Sequence, residues 1–149
     1  MKTYIGIDLG GTNVRVAKVT EFGEVLSQVK GPSFGMEGPT KVMSNLKEMV
    51  REIPGWKDCS AIGVGVPGPV DKKSGSMVLS TNLKGFTGYP LADELSKEFG
   101  MPAFVDNDAN VAGLAEALVG AGKDKSVVYY VTISTGIGGA LIVDGKTVS

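Results

Sequence analysis

The sequence predicts an α/β layer fold built on a mixed sheet. Three observations carry that prediction. The first thirty residues hold three successive runs that alternate apolar and polar side chains; helical and strand-like periodicities then alternate; and the glycines stand between apolar runs. There are 22 glycines, roughly twice the usual level of about 7%. Seven of them fall at Gly10-Gly11, Gly63, Gly65, Gly136 and Gly138-Gly139, where a backbone can turn tightly against a ligand.

Residues 3–9 alternate around Ile5, Ile7 and Leu9 and form the first strand. A Gly-Gly turn leads to a second strand at 12–20, carrying Val14, Val16 and Val19, and a turn at Glu21-Phe22-Gly23-Glu24 to a third at 25–29. These three pair antiparallel. A Gly/Pro-rich loop at 31–39 precedes a helix with Val42, Leu46, Met49, Val50 and Ile53 on one face, stopped by Pro54-Gly55. A short strand at 61–66 ends in Pro67-Gly68-Pro69, followed by a polar turn at 72–75 and a loop through Asn82 and Gly85. Pro90 opens a second helix with Leu91, Leu95 and Phe99, closed by Gly100.

A strand at 103–105 comes next, and Asn107 or Asp108 then caps a third helix carrying Val111, Leu114, Ala115 and Leu118, ended by Gly120 and Gly122. The last stretch repeats the opening design, with a strand at 126–133, a glycine-rich turn at 134–139, a strand at 140–143 and a hairpin turn at Asp144-Gly145. Residues 1–122 are therefore expected to form one lobe. Residues 123–149 are expected to be the opening hairpin of a second, truncated one.

Composition narrows the function. Fifteen basic residues against sixteen acidic give a net charge of −1, with no basic excess to bind nucleic acid or an anionic membrane surface. The chain lacks histidine, which excludes Ser-His and Cys-His nucleophiles and imidazole zinc sites within these residues. A lone Cys59 forbids an internal disulfide framework and suits a reducing cytosol. Asp8 interrupts the apolar stretch at 4–7 before an export signal can form, and the run at 127–133 is too short to span a bilayer. A cytoplasmic protein is expected. Cys59 and Trp56, near a helix–strand loop, are expected to pack rather than react.

Three constellations carry chemistry. In Asp8-Leu9-Gly10-Gly11-Thr12-Asn13-Val14-Arg15, two glycines admit a ligand to the backbone, where N–H groups and the Thr12 hydroxyl can hold phosphate oxygens. Asp8, at the strand end, is placed to meet a hydrated Mg²⁺. A strand follows Gly10-Gly11, so this is neither a Walker A loop nor a dinucleotide fingerprint. Thr132-Ile133-Ser134-Thr135-Gly136-Ile137-Gly138-Gly139 offers hydroxyls and glycines for a second phosphate cradle; a plain structural hairpin is the competing reading. Val105-Asp106-Asn107-Asp108-Ala109-Asn110 places four polar groups at a helix start, more than capping requires. The helix dipole there favours an ionised carboxylate able to accept a proton or orient a hydroxyl.

These motifs, with Gly65-Val66-Pro67-Gly68-Pro69-Val70-Asp71 and Thr81-Asn82-Leu83-Lys84-Gly85, stand in the order seen in the ROK family, which the chain resembles over essentially its whole length. That family holds bacterial glucokinases, other hexose and N-acetylhexosamine kinases, and sugar-responsive repressors. The resemblance implies an actin/hexokinase-like (ribonuclease H-like) lobe with a mixed five-stranded sheet and flanking helices. It implies ATP-dependent phosphorylation of a hexose, glucose to glucose 6-phosphate above all, with ATP and Mg²⁺ as cofactors. Asp8, Gly10, Gly11, Thr12, Asn13, Thr135, Gly136, Gly138 and Gly139 would hold the nucleotide phosphates, and Asp8 the Mg²⁺ through water. Gly68, Thr81, Asn82, Asn107 and Asp108 look like sugar contacts, with Asp108 the catalytic base.

The second phosphate motif departs from the family pattern, reading Ser134-Thr135 and ending in Ala140 where a Gly-Thr start and a third glycine are commoner. A Glu-x-x-x-His sugar-binding segment, most adenine contacts and a structural Zn²⁺ site belong to the family's second lobe, so 1–149 alone is expected to be inactive. The intact parent is expected to be a homodimer that binds a small sugar and ATP, and neither nucleic acid nor membrane. With Met1 two residues before the first strand, no DNA-binding helix-turn-helix is expected ahead of it, and the repressor branch is the less expected one. Two alternatives stay open: a non-catalytic sugar-sensing regulator of the same fold, and a kinase for N-acetylmannosamine or another hexose.

Overall fold

A computed structural model of the chain describes residues 2–109, 127–133, 137–143 and 146–147. Strands β1 (Thr3–Leu9), β2 (Asn13–Thr20) and β3 (Val25–Pro32) form an antiparallel meander. Helix α1 (Pro39–Glu52) follows, then β4 (Ile62–Val66), the two-residue strands β5 (Val70–Asp71) and β6 (Ser76–Met77), helix α2 (Leu91–Phe99) and β7 (Ala103–Asn107). The five long strands make one mixed sheet in the order β3-β2-β1-β4-β7, with β1, β4 and β7 mutually parallel. This is the expected α/β lobe, with its first three strands antiparallel. No described helix is long and apolar enough to cross a membrane.

Alternation within the strands sorts the sheet into two faces. Ile5, Ile7 and Leu9 line up with Val14, Val16, Ile62, Val64, Val66 and Val105, all buried. Against them α1 lays Val42, Met43, Leu46, Met49 and Val50, and α2 lays Leu91, Ala92, Leu95 and Phe99. The two helices are neighbours, since Glu98 of α2 reaches Lys47 and Arg51 of α1 at 3.4 and 3.0 Å. Trp56 meets Phe99 edge to face at 5.2 Å, and Cys59 is buried, so both pack as expected.

The structure corrects four boundaries. β3 runs on through Gly31-Pro32, which the sequence assigned to a loop; it is an edge strand, where a missing N–H is tolerated. β7 extends to Asn107 because Asp106 and Asn107 pair with Gly65 and Val66. The polar turn at 72–75 is flanked by a small hairpin, β5–β6, around the Gly75 N–H to Asp71 carbonyl bond at 2.9 Å.

The fourth correction concerns the second glycine loop. β8 (Val127–Ile133), β9 (Ile137–Val143) and β10 (Lys146–Thr147) form a separate antiparallel sheet. Gly138 and Gly139 lie within β9, opposite Thr132 and Val131, rather than in the turn. Strand pairing sets that boundary, overriding glycine's weak strand preference. Asp108 and Ala109 have helical backbone, and the rest of the expected third helix lies outside the described residues.

Candidate active site

Because β1, β4 and β7 are parallel, their carboxyl ends open onto one edge of the sheet, where open α/β folds bind ligands. One row of residues, Arg15–Asp8–Gly65–Asp106, crosses the sheet near that edge, on the face opposite α1 and α2. Four loops rise from it or against it.

The first is the β1–β2 turn. The Gly10 N–H donates to the Asn13 carbonyl at 2.9 Å, which leaves Gly11 and Thr12 at the tip and the Asp8, Thr12 and Asn13 side chains exposed. The loop through Thr81 and Asn82 abuts it so closely that a Cβ on Gly11 would sit 2.8 Å from the Asn82 Cβ. Only glycine fits that approach. Leu83 and Phe86, both fully buried, anchor this second loop in the core and leave Thr81 and Asn82 exposed. The Thr87 hydroxyl accepts the Ser80 N–H at 3.0 Å and steadies its base.

The third and fourth loops are tied together by one amide. Asn107 Nδ2 donates to the Gly68 carbonyl at 2.7 Å, while Asn107 Oδ1 accepts the Ala109 N–H at 2.9 Å. Asn107, rather than Asp108, is thus the helix cap. Its amide keeps one N–H and one lone pair for a ligand. Freed from capping, the Asp108 side chain is exposed to solvent. Partial desolvation nevertheless pushes its pKa above the ordinary aspartate value; the Asp8 charge adds to the rise, and the Ala109 and Asp108 N–H groups work against it. Its solvent exposure moderates the size of that shift. Next to it, Asp106 pairs with Lys72 at 3.3 Å and accepts the Asn107 N–H at 2.7 Å.

Asp8, Gly10, Gly11, Thr12, Asn13, Thr81, Asn82, Gly68, Asn107 and Asp108 therefore gather at this edge: Gly11 abuts Asn82, Asn107 bonds to Gly68, and the Asp8 charge is felt at Asp108. Gly138 and Gly139 belong to the other sheet, and Thr135 and Gly136 lie outside the described residues. Among the described residues no three His, Cys, Asp or Glu gather into a metal cage. The donors at this edge are hard carboxylate oxygens, which fits an ion such as Mg²⁺ that keeps several waters and takes one or two carboxylates. Sequence reasoning missed Gly35, which packs against both Gly11 and Asn82. Its neighbours come from distant parts of the chain, and no local spacing marks it.

Residues 4–149 match the profile of the ROK family. The chain belongs to the ROK family. It is 35% identical over 141 residues to a glucokinase of Thermotoga maritima, a match spanning 95% of this chain and 44% of that protein. Its fold superposes with a TM-score of 0.88 on a ROK family glucokinase from Streptomyces griseus solved with glucose and AMPPNP, at 31% identity, covering 98% of this chain and 46% of that one. A ROK hexokinase from Thermus thermophilus gives a TM-score of 0.87 at 34% identity, with 98% and 48% covered. The ROK chain thus spans somewhat under half the length of these relatives.

Proposed function

We propose that this ROK-family protein is an ATP-dependent sugar kinase that converts a hexose, foremost glucose, to its 6-phosphate. The observation that carries the reading is the abutment of Gly11 and Asn82 at the sheet edge where partial desolvation raises the Asp108 carboxyl above the ordinary aspartate value. A glycine loop suited to phosphate thereby touches a loop suited to hydroxyls, with a proton acceptor at the same edge. The similar glucokinases and hexokinase support it.

In this reading Thr81, Asn82, Gly68 and Asn107 hold the sugar hydroxyls. Gly10 shapes the turn, its own N–H being spent on the Asn13 carbonyl; the backbone N–H groups of Gly11 and Asn13 and the Thr12 hydroxyl hold phosphate oxygens, joined by Thr135, Gly136, Gly138 and Gly139 from the second glycine motif. Asp108 accepts the proton of the primary hydroxyl as that oxygen bonds to the γ-phosphorus in line. The bond from phosphorus to the bridging oxygen breaks, and ADP leaves with the electron pair. A base with a raised pKa sits nearer the working pH and drives proton transfer better than an ordinary aspartate. Asp8 would hold Mg²⁺ through water, and the bound ion supplies charge neutralisation to the triphosphate. Positioning and electrostatics contribute most of the acceleration.

Residues 123–149 open the second lobe, so activity resides in the full-length, cytoplasmic and homodimeric protein. The test is ADP formation by that protein with ATP, Mg²⁺ and a panel of glucose, mannose and N-acetylmannosamine. Glucose is expected to give the highest kcat/KM. Sugar binding without ADP release from any of them would overturn the kinase reading in favour of a sensor.

A further inference from the structure

We infer that Gly35 is a positioning residue that locks the Gly10–Thr12 loop and the Thr81–Asn82 loop into one unit, so that nucleotide and sugar each bind more tightly when the other is present. The inference rests on the sugar-kinase reading.

Gly35 is buried at the start of a short 3₁₀ turn, Gly35–Glu37, and belongs to none of the motifs that define the site. A Cβ there would overlap the Gly11 carbonyl oxygen and lie 2.8 Å from that of Asn82. Both obstacles are backbone, which cannot swing aside like the tip of a side chain. A Cβ on Gly11 would in turn lie 2.8 Å from the Asn82 Cβ and 2.9 Å from its carbonyl oxygen, so the three segments pack against one another at close range. Close-packed backbone transmits a displacement instead of absorbing it.

Hydrogen bonds fasten the stack at each flank. The Ser33 N–H donates to the Thr12 carbonyl at 2.9 Å, and the Lys84 N–H donates to the Gly35 carbonyl at 2.8 Å. The 33–35 segment therefore grips the phosphate loop with one hand and the sugar loop with the other. Phe34 between them adopts a left-handed φ of 59°, unusual for a residue with a side chain. Lys41 covers its ring at 4.6 Å from the centroid. A conformation of this kind persists where its surroundings over-determine it. Ordering either loop by its ligand thus orders the other, and the linkage is reciprocal.

The experiment measures the sugar Kd of the full-length protein with and without saturating AMPPNP. In the wild type the Kd is expected to fall at least about fivefold with nucleotide, the lower end of typical coupling. In Gly35→Ala the ratio should drop below about twofold, while Gly31→Ala, whose Cβ would meet only the Met49 methyl at 3.9 Å, should keep it. General destabilisation changes the folded fraction and leaves this ratio intact. A wild-type ratio of one, or an unchanged ratio in Gly35→Ala, overturns the proposal. Should Gly35→Ala fail to fold, amide exchange in the wild type decides: AMPPNP alone is expected to slow exchange of the Lys84 N–H, and an unchanged rate overturns the coupling. A wild type that binds neither ligand overturns the sugar-kinase reading itself, an outcome distinct from binding both independently.

Discussion

The Asp108 carboxyl sits where desolvation disfavours its charged form and Asp8 repels it, so in the fold it holds its proton to higher pH than in the unfolded chain. A group with a raised folded pKa favours the fold fully below its unfolded value, and that contribution is lost as pH rises through the folded value. Asp108→Asn cannot ionise and escapes the loss. Thermal melts of the full-length protein should therefore show the variant more stable than the wild type at neutral pH, with the two curves converging below the ordinary aspartate range. A wild type as stable as the variant at neutral pH would remove the desolvation argument. The residue's placement was legible in the sequence, because polar groups at a strand–helix junction exceed the needs of a cap. Which of them caps was not legible. That depends on the Gly68 carbonyl, which the β4 loop brings to Asn107.

Among the elements, the helices were the most readable, since apolar stripes at helical spacing mark α1 and α2 whatever they pack against. Strand ends were harder, because pairing with a neighbour decides them: Gly31-Pro32 and Gly138-Gly139 join strands only through their partners. The same contrast between core and surface orders the energetics. Leu46 of α1 is fully buried against the sheet, and Leu46→Ala should cost about 2–5 kcal/mol in denaturant unfolding. Glu98→Gln breaks both ion pairs that bridge α1 and α2, yet these are partly exposed and should cost under about 1 kcal/mol. Equal losses in the two variants would mean that charge, rather than burial, holds the helix layer together.

At the scale of the molecule, the order β3-β2-β1-β4-β7 gathers three carboxyl strand ends and so brings the four loops of the candidate site to one edge. The order of motifs along the chain made that lobe legible. The contact of Gly35 with Gly11 and Asn82 stayed hidden, because only the folded sheet brings residues so far apart in sequence into touch. The central claim is phosphoryl transfer to a sugar hydroxyl with Asp108 as the proton acceptor. Its most direct test is Asp108→Asn in the full-length protein, with kcat and glucose Kd measured together. In the proposed reaction the carboxylate acts in the transition state, whereas an amide would still accept the hydroxyl's hydrogen bond in the ground state. A kcat lower by at least about a hundredfold, with glucose Kd changed by no more than a few-fold, is the expected result. Near-normal turnover in that variant would contradict the account and move the base to another residue, Asp106 first.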